Sequence, residues 1–342
     1  MAPTASDTTD SRHCTRLADL GSERLDRILT RAGDLKQHPV GDALRGRTAG
    51  MLFFRGSLRT RTSFEVALHQ LGAHSINLSA TSDFWELEER EGTVMDGRAK
   101  EHVRDAAAVL SRYVDALAIR PAPEGQSWDV DRKDAQIHSW CRHATVPVIN
   151  MESALWHPLQ ALADLLTLRE TFGNLAGKRL ALVWTHSTEA ATPSVAHSLL
   201  HAVVRQGMNV SIAHPPGYEL DEKVVSDASR VAGEHSAEVR TGLDRNEAVD
   251  GADIVYARSW FSLSDYGNAT LAASHRSRHR EWNIDEKLMA RARSPHFMHA
   301  MPIRRNLEVT DPVLDSPASL VYEQAGNRLP TQKALLLDLL GG

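Results

Sequence analysis

"FFRGSLRTRTSFEVALHQLG", residues 53–72, ends one kind of element and begins another. Phe53 and Phe54 close a strand-like run, and Phe64, Leu68 and Leu71 recur at the spacing of a helix, predicted from about Thr62 to Leu71. Between them stand Arg55, Gly56, Ser57, Arg59, Thr60, Arg61, Thr62 and Ser63. Cations at the start of a helix gain nothing from its macrodipole, which favours anions there. A strand leading through a Gly-containing turn into a helix offers backbone N–H groups and arginine forks to a phosphate, and the planar guanidinium matches a tetrahedral oxyanion bidentately. The competing reading of this segment alone is a solvated basic helix start.

Outward from this stretch, strand-like and helix-like segments alternate, which predicts an α/β fold of parallel sheets covered by helices. "GRTAGMLFF", "AHSINLS", "VDALAIRP" and "VPVINM" read as strands of a first sheet, with "EHVRDAAAVLSRY" as a helix among them. "LWHPLQALADLLTLRETF", from Leu155 to about Phe172, reads as a helix able to cross between domains, with Pro158 tolerable only in its first turn. "KRLALVW", "NVSIAHP", "ADIVYARSW" and "HFMHAMP" are spaced as strands of a second doubly wound sheet, "SVAHSLLHAVVRQG" as a helix between them, and "QKALLLDLL" as a C-terminal helix. The 342 residues suffice for two domains with substantial cores.

The net charge of -5 removes the global basic field of a nucleic-acid binder, so the arginines at 55–61 are a local device. Cys14 and Cys141 have neither the number nor the spacing of a disulfide framework or zinc site, which fits a reducing compartment. No apolar run has the length of a membrane span, and "MAPTASDTTDSR" lacks the apolar core of a signal peptide. The expectation is a cytoplasmic protein with a short disordered tail over residues 1–12.

Three further segments are candidates for chemistry. In "HPLQ", His157 and Gln160 lie three apart on one helical face and are placed to hydrogen-bond one carbonyl; a capping histidine beside a surface glutamine is the equal alternative. "HAMPIRRN", residues 299–306, follows a strand at the edge where parallel sheets place ligands, although Arg304 and Arg305 taken alone read as surface residues. "DFWELEEREGTVMDG", residues 83–97, is a long charged loop with one large aromatic, Trp85, read either as plain surface or as a lid or a contribution to a neighbouring subunit's site.

Together these segments resemble the carbamoyltransferase family that includes the aspartate and ornithine enzymes. The family's marks Ser-x-Arg-Thr-Arg, His-Pro-x-Gln and a late His-Cys-Leu-Pro-x-x-Arg stand here as Ser57-Leu58-Arg59-Thr60-Arg61, His157-Pro158-Leu159-Gln160 and His299-Ala300-Met301-Pro302-Ile303-Arg304. The resemblance runs from about residue 45 to the C-terminus. "WELEEREGTVMDG", "INMESALWHPLQALADLLTL", "HPPGYELDEK", "VYARSW" and "PIRRNLEVTD" are most similar to the branch acting on N-acetylornithine or N-succinylornithine.

The resemblance implies two doubly wound domains joined by crossing helices. Residues 13–153 would bind carbamoyl phosphate, 154–325 the amino-acid acceptor, and 326–342 would form a helix packing back on the first domain. It implies a knotted second domain from the length of Trp184–Ser198, although Pro193 is the only proline in that loop. It also implies a homotrimer with shared sites, a place in arginine biosynthesis with a citrulline-type product, and no metal or organic cofactor.

Ser57, Leu58, Arg59, Thr60 and Arg120 would hold the phosphate. His157, Gln160 and Arg304 would surround the carbamoyl group, with Arg59, His157 and Arg304 catalytic. Trp85, Lys100, Glu152, Arg258, Ala300 and Met301 would lie on the acceptor side, Trp85 reaching an adjacent subunit. Ala300 replaces the family's cysteine, and Arg258 replaces a lysine. Lys100 stands where acetyl-specific relatives have glutamate and succinyl-specific ones proline, and Glu308 replaces a lysine of the acetyl-specific group. Neither acyl specificity transfers cleanly. A shorter diamino acid as acceptor, or a catalytically silent paralogue that binds carbamoyl phosphate, are the alternatives.

Overall fold

The computed structural model describes residues 12–38 and 41–341; the tail expected to be disordered falls, up to residue 11, outside the described residues. The chain divides into two compact units. Unit 1 runs to Pro123, resumes over Asp134–Leu162 and takes in the chain from Arg328; unit 2 comprises Glu124–Lys133 and Ala163–Asn327.

Unit 1 is built on β1 (Thr48–Phe53), β2 (His74–Ser79), the short pair β3 (Leu87–Glu88) and β4 (Glu101–His102), β5 (Ala116–Arg120) and β6 (Val148–Asn150). Its main sheet has the order β2-β1-β5-β6 with every neighbour parallel. All five residues of β5 are buried, the near-continuous burial of a strand whose two faces are both covered. The helix Ser22–Gln37 buries Leu25, Ile28, Leu29, Ala32 and Leu35, a stripe at helical spacing. It packs against the C-terminal helix Arg328–Leu340, which also packs on Leu58–Gln70. A pair between Arg24 and Asp338 at 2.6 Å and a bond from Lys333 to Gln70 at 3.1 Å tie these helices together.

Unit 2 contains β7 (Arg179–Trp184), β8 (Asn209–Ala213), β9 (Val239–Leu243), β10 (Ile254–Arg258) and β11 (His296–Met298). The order β11-β10-β7-β8-β9, again all parallel, is doubly wound: the chain moves outward from β7 on one side and then on the other. Its switch point lies between β7 and β10, where such sheets leave a crevice beyond the strands' carboxyl ends. β9, absent from the sequence reading, is an edge strand whose "VRTGL" is half-buried or exposed, so it lacks an apolar signal.

Residues 124–133 are bound to unit 2 by polar anchors. Trp128 Nε1–H and Arg132 both donate to Asp221, at 2.7 and 2.6 Å, and the Tyr266 hydroxyl donates to Asp131 at 2.5 Å. Gly267, with φ of 86°, lies so close to this segment that a β-carbon would collide with the Gln126 carbonyl.

Among the described residues no helix is long and apolar enough to cross a membrane, and Cys14 and Cys141 are free thiols.

Candidate active site

The turn after β1 is shaped by Ser57, whose extended backbone and side chain cap the helix Leu58–Gln70 by accepting the Thr60 N–H. The helix therefore starts four residues before the predicted Thr62, because the cap acts ahead of the first apolar position. Leu58 is exposed and Arg59 half-buried in its first turn, while Thr60 is buried. Arg61 stacks over the Phe53 ring at 5.4 Å, and Arg55 donates to the carbonyls of Pro121 and Glu152 at 3.0 and 3.1 Å. The three arginines thus separate: one braces the turn, one covers an aromatic ring, and Arg59 remains at the helix start.

Thr60 is held by a residue 268 positions away. Arg328, buried at the start of the C-terminal helix, donates from Nη2 to Thr60 Oγ1 and from Nη1 to Gln160 Oε1, both at 2.8 Å. It therefore fixes two predicted site residues at once, although the sequence reading did not include it; its only signal was an arginine just before an apolar helical run.

At the end of β5, Arg120 pairs with Glu152 at 2.6 Å and donates to the Met151 carbonyl at 2.9 Å. Glu152 also lies 3.5 Å from Arg55 and 3.8 Å from His157 Nε2. Its φ of 126° is rare for a residue with a β-carbon, and its N–H donates to the Asn150 side chain. Burial, with the nearby cations of Arg328, Arg120 and Arg55, holds the His157 pKa well below its ordinary value against the opposing pull of Glu152. At neutral pH His157 is therefore an uncharged imidazole. The helix that carries Gln160 begins at Pro158, not at the predicted Leu155, and His157 immediately precedes it.

Trp85, just before β3, is half exposed, its indole N–H donating to Glu101 at 2.9 Å, and Lys100 is exposed just before β4.

In unit 2, Arg258 ends β10 opposite Trp184 at the end of β7. Both are buried, and register places their side chains on one face of the sheet. Several buried polar atoms at this edge have no hydrogen-bond partner among the described residues: Arg258 Nε, Thr185 Oγ1, Ser259 Oγ and Tyr218 Oη. Such atoms are uncommon in folded proteins, and a ligand is one of the standard reasons for them.

After β11, His299 Nδ1 accepts the Met301 N–H at 2.9 Å, and the His299 N–H donates to Gln324 Oε1 at 3.0 Å. Met301 has a φ of 52°, so this bond stabilises a left-handed turn. His299 Nε2 lies 3.1 Å from Glu308 Oε2, both residues being buried. Burial alone would raise the Glu308 pKa, but the proximity of His299, Ser187 and the Arg258 cation outweighs it and lowers the value. Ala300 is buried on the turn. Arg304 is exposed and reaches Glu189 at 3.3 Å, an exposed pair of little energetic weight. Thr185, Tyr218, Ser259 and Gln324 were missed in the sequence, where isolated polar residues in loops or, for Gln324, in a short helix carry no periodic signal.

Two parallel sheets, one with an arginine-rich helix start and the other with a polar switch-point edge, make this a two-domain protein of the α/β class. Residues 12–170 match the aspartate/ornithine carbamoyltransferase carbamoyl-P binding domain, and residues 177–339 the Asp/Orn binding domain of the same enzymes. N-acetylornithine carbamoyltransferase of Xanthomonas campestris pv. campestris is 39% identical over 333 residues, covering 96% of this chain and 98% of that protein. An ornithine carbamoyltransferase of Parafrankia sp. is 40% identical over 337 residues, covering 96% of each. A crystal structure of acetylornithine transcarbamylase complexed with acetylcitrulline superposes with a TM-score of 0.93 at 38% identity, over 96% of this chain and 99% of that one. The chain belongs to the aspartate/ornithine carbamoyltransferase family.

Proposed function

We propose that the protein transfers the carbamoyl group of carbamoyl phosphate to the side-chain amine of an N-acylated ornithine, giving a ureido product and phosphate. The observation that carries this reading is the assembly around the Ser57 cap: Thr60 and Gln160 held by one buried arginine, and Arg120 and a neutral His157 gathered on Glu152. Relatives named for N-acetylornithine and a neighbouring structure bound to acetylcitrulline support the acceptor class.

In this reading Ser57, Leu58, Arg59, Thr60 and Arg120 bind the phosphate. His157, Gln160 and Arg304 bind the carbamoyl group. The amine nitrogen attacks the carbonyl carbon, the C–N bond forms, and the bond from that carbon to the phosphate oxygen breaks. Arg59, His157 and Arg304 stabilise the oxyanion, and loss of one such donor costs about 3 kcal/mol of barrier. The attacking amine must be neutral, although a free alkylamine has a pKa near ~10; a cationic, water-poor site favours that form, and the departing phosphate accepts the proton. The step has no requirement for the thiol that Ala300 replaces.

Arg258 pairs with the acceptor carboxylate and Glu152 with its nitrogen, while Ala300 and Met301 shape the turn beside them. Trp85 and Lys100, both exposed beside the short β3–β4 pair, serve an adjacent subunit of a homotrimer, and the enzyme works in the cytoplasm. Residues 13–153 and 154–325 divide the two substrates between them. The test is phosphate release and ureido-product mass with carbamoyl phosphate and ornithine, N-acetylornithine, N-succinylornithine or 2,3-diaminopropionate. Product with an N-acylornithine is expected; product only with 2,3-diaminopropionate would move the assignment to a shorter acceptor, and none with any acceptor would overturn transfer.

A further inference from the structure

Tyr218 is 2% exposed, yet its hydroxyl has no hydrogen-bond partner among the described residues. The rest of the residue is firmly placed. Its carbonyl accepts the Trp260 indole N–H at 2.9 Å, its ring packs on Trp184 with centroids 4.6 Å apart, and His279 meets it edge-on at 5.8 Å. Trp184 is the cross-strand neighbour of Arg258, and Trp260 follows Arg258 by two residues. The unpartnered phenol therefore belongs to the same sheet edge as the arginine assigned to the acceptor's carboxylate.

Its electrostatic surroundings have a direction. The charges of Arg276 and Asp265 both reach the phenol, and burial raises its pKa, so it stays a donor at neutral pH. Asp265 is already engaged by His275 at 2.9 Å, whereas Arg276 directs one guanidinium nitrogen to the Thr188 carbonyl at 2.9 Å, and no carboxylate partner of it occurs among the described residues. The stretch "SHRSRHRE", residues 274–281, adds Arg278 and Arg280, both exposed, so the segment carries a local excess of positive charge. An acetyl group has no charge to answer such a cation. An acyl group ending in a carboxylate does, and it also supplies an acceptor oxygen for the phenol.

We propose that Tyr218 and Arg276 recognise the acyl substituent of the acceptor, and that this substituent ends in a carboxylate. The proposal rests on the carbamoyl-transfer reading and deepens it. A site that hydrogen-bonds a substrate group discriminates strongly against the analogue lacking it, because its own polar atoms are left unpaired.

The test measures kcat and KM for N-acetylornithine and N-succinylornithine with the wild type, Tyr218→Phe and Arg276→Gln. Thermal shifts with N-succinyl-L-norvaline, which lacks the reacting amine, accompany the kinetics. The wild type is expected to prefer N-succinylornithine. Tyr218→Phe should raise the KM for that acceptor about tenfold, with kcat and the KM for N-acetylornithine little changed, and Arg276→Gln should act in the same direction. Wild-type preference for N-acetylornithine, or an equal effect of Tyr218→Phe on both acceptors, would overturn the proposal. Failure of carbamoyl transfer is separable: no acceptor would then yield phosphate, while N-succinyl-L-norvaline would still raise the Tm of the wild type more than that of Tyr218→Phe if the subsite is correct, and equally if it is not.

Discussion

In unit 1 the cations hold protein atoms: Arg55 the Pro121 and Glu152 carbonyls, Arg120 the Glu152 carboxylate, Arg328 the side chains of Thr60 and Gln160. In unit 2 the hydroxyls of Thr185, Tyr218 and Ser259 and Nε of Arg258 have no partner among the described residues; in unit 1 Nε of Arg120 is likewise left over, but that guanidinium is engaged through both of its other nitrogens. The difference is one of preorganisation. A phosphate is the same for every member of a carbamoyltransferase family, so its side can be built rigid and pre-aligned, with little reorganisation on reaction. An acceptor differs between members, and its side keeps polar atoms for the ligand to complete.

The comparison breaks most visibly at Arg59. Arg59→Ala should lower kcat by about 10²–10³-fold, the usual effect of losing an oxyanion donor, with every acceptor alike. A loss confined to one acceptor would show that the two halves do not divide the substrates as argued. Arg328→Ala removes two hydrogen bonds from a buried cation, and bonds to charged groups contribute about 1.5–3 kcal/mol each. A fall in stability on the order of 3 kcal/mol, read from denaturant unfolding, should accompany a higher KM for carbamoyl phosphate. Unchanged carbamoyl phosphate KM in folded Arg328→Ala would remove its positioning role.

Acid sharpens the contrast further. His157 is buried neutral, with its folded pKa below its unfolded value, so below pH ~6.5 the unfolded chain binds more protons and stability falls as pH is lowered. The slope for one such group is at most about 1.4 kcal/mol per pH unit. Glu308, depressed in the folded protein, contributes stability that is present above its unfolded value near ~4.3 and is lost as pH falls through its folded one. Unfolding measured from pH 7.5 to 4 should therefore weaken first from unit 1, and His157→Gln should flatten the upper part of that decline. An unchanged profile in the variant would exclude His157 as its source.

How much was legible follows the same division. The Arg59 and His157 motifs and eight of the nine main strands show in the sequence because local pattern determines them: β5 and β10, for example, are runs buried throughout. β9 escaped because an edge strand need not be apolar. The helix start at Leu58 was placed late because its first turn is polar and exposed on one side, and periodicity begins only at Phe64. Arg328 could not be assigned from its neighbours, since its partners lie in distant parts of the chain and only folding brings them together. The hydroxyls of Thr185, Ser259 and Tyr218 became conspicuous through burial without partners, a property that exists only in three dimensions.

The smallest expected effect lies at Glu308, where the acceptor side carries its own carboxylate. Glu308 sits 3.1 Å from His299 and within the field of Arg258, while His299 holds the Met301 turn through its other ring nitrogen. Glu308→Gln keeps the shape and a hydrogen-bond acceptor but removes the charge. Arg258 would then attract the acceptor carboxylate more strongly, while His299 would be oriented less firmly. These effects oppose each other in affinity but not in position: the first lowers KM, and the second loosens the turn that carries Arg304 and lowers kcat. The expected outcome is a few-fold fall in both, a change worth about 1 kcal/mol or less. Glu308→Ala, which leaves His299 without this partner, should lower kcat further with no added gain in KM. If both variants instead raise KM at constant kcat, Glu308 acts through uniform acceptor binding, and the charge it places beside Arg258 serves the ligand directly.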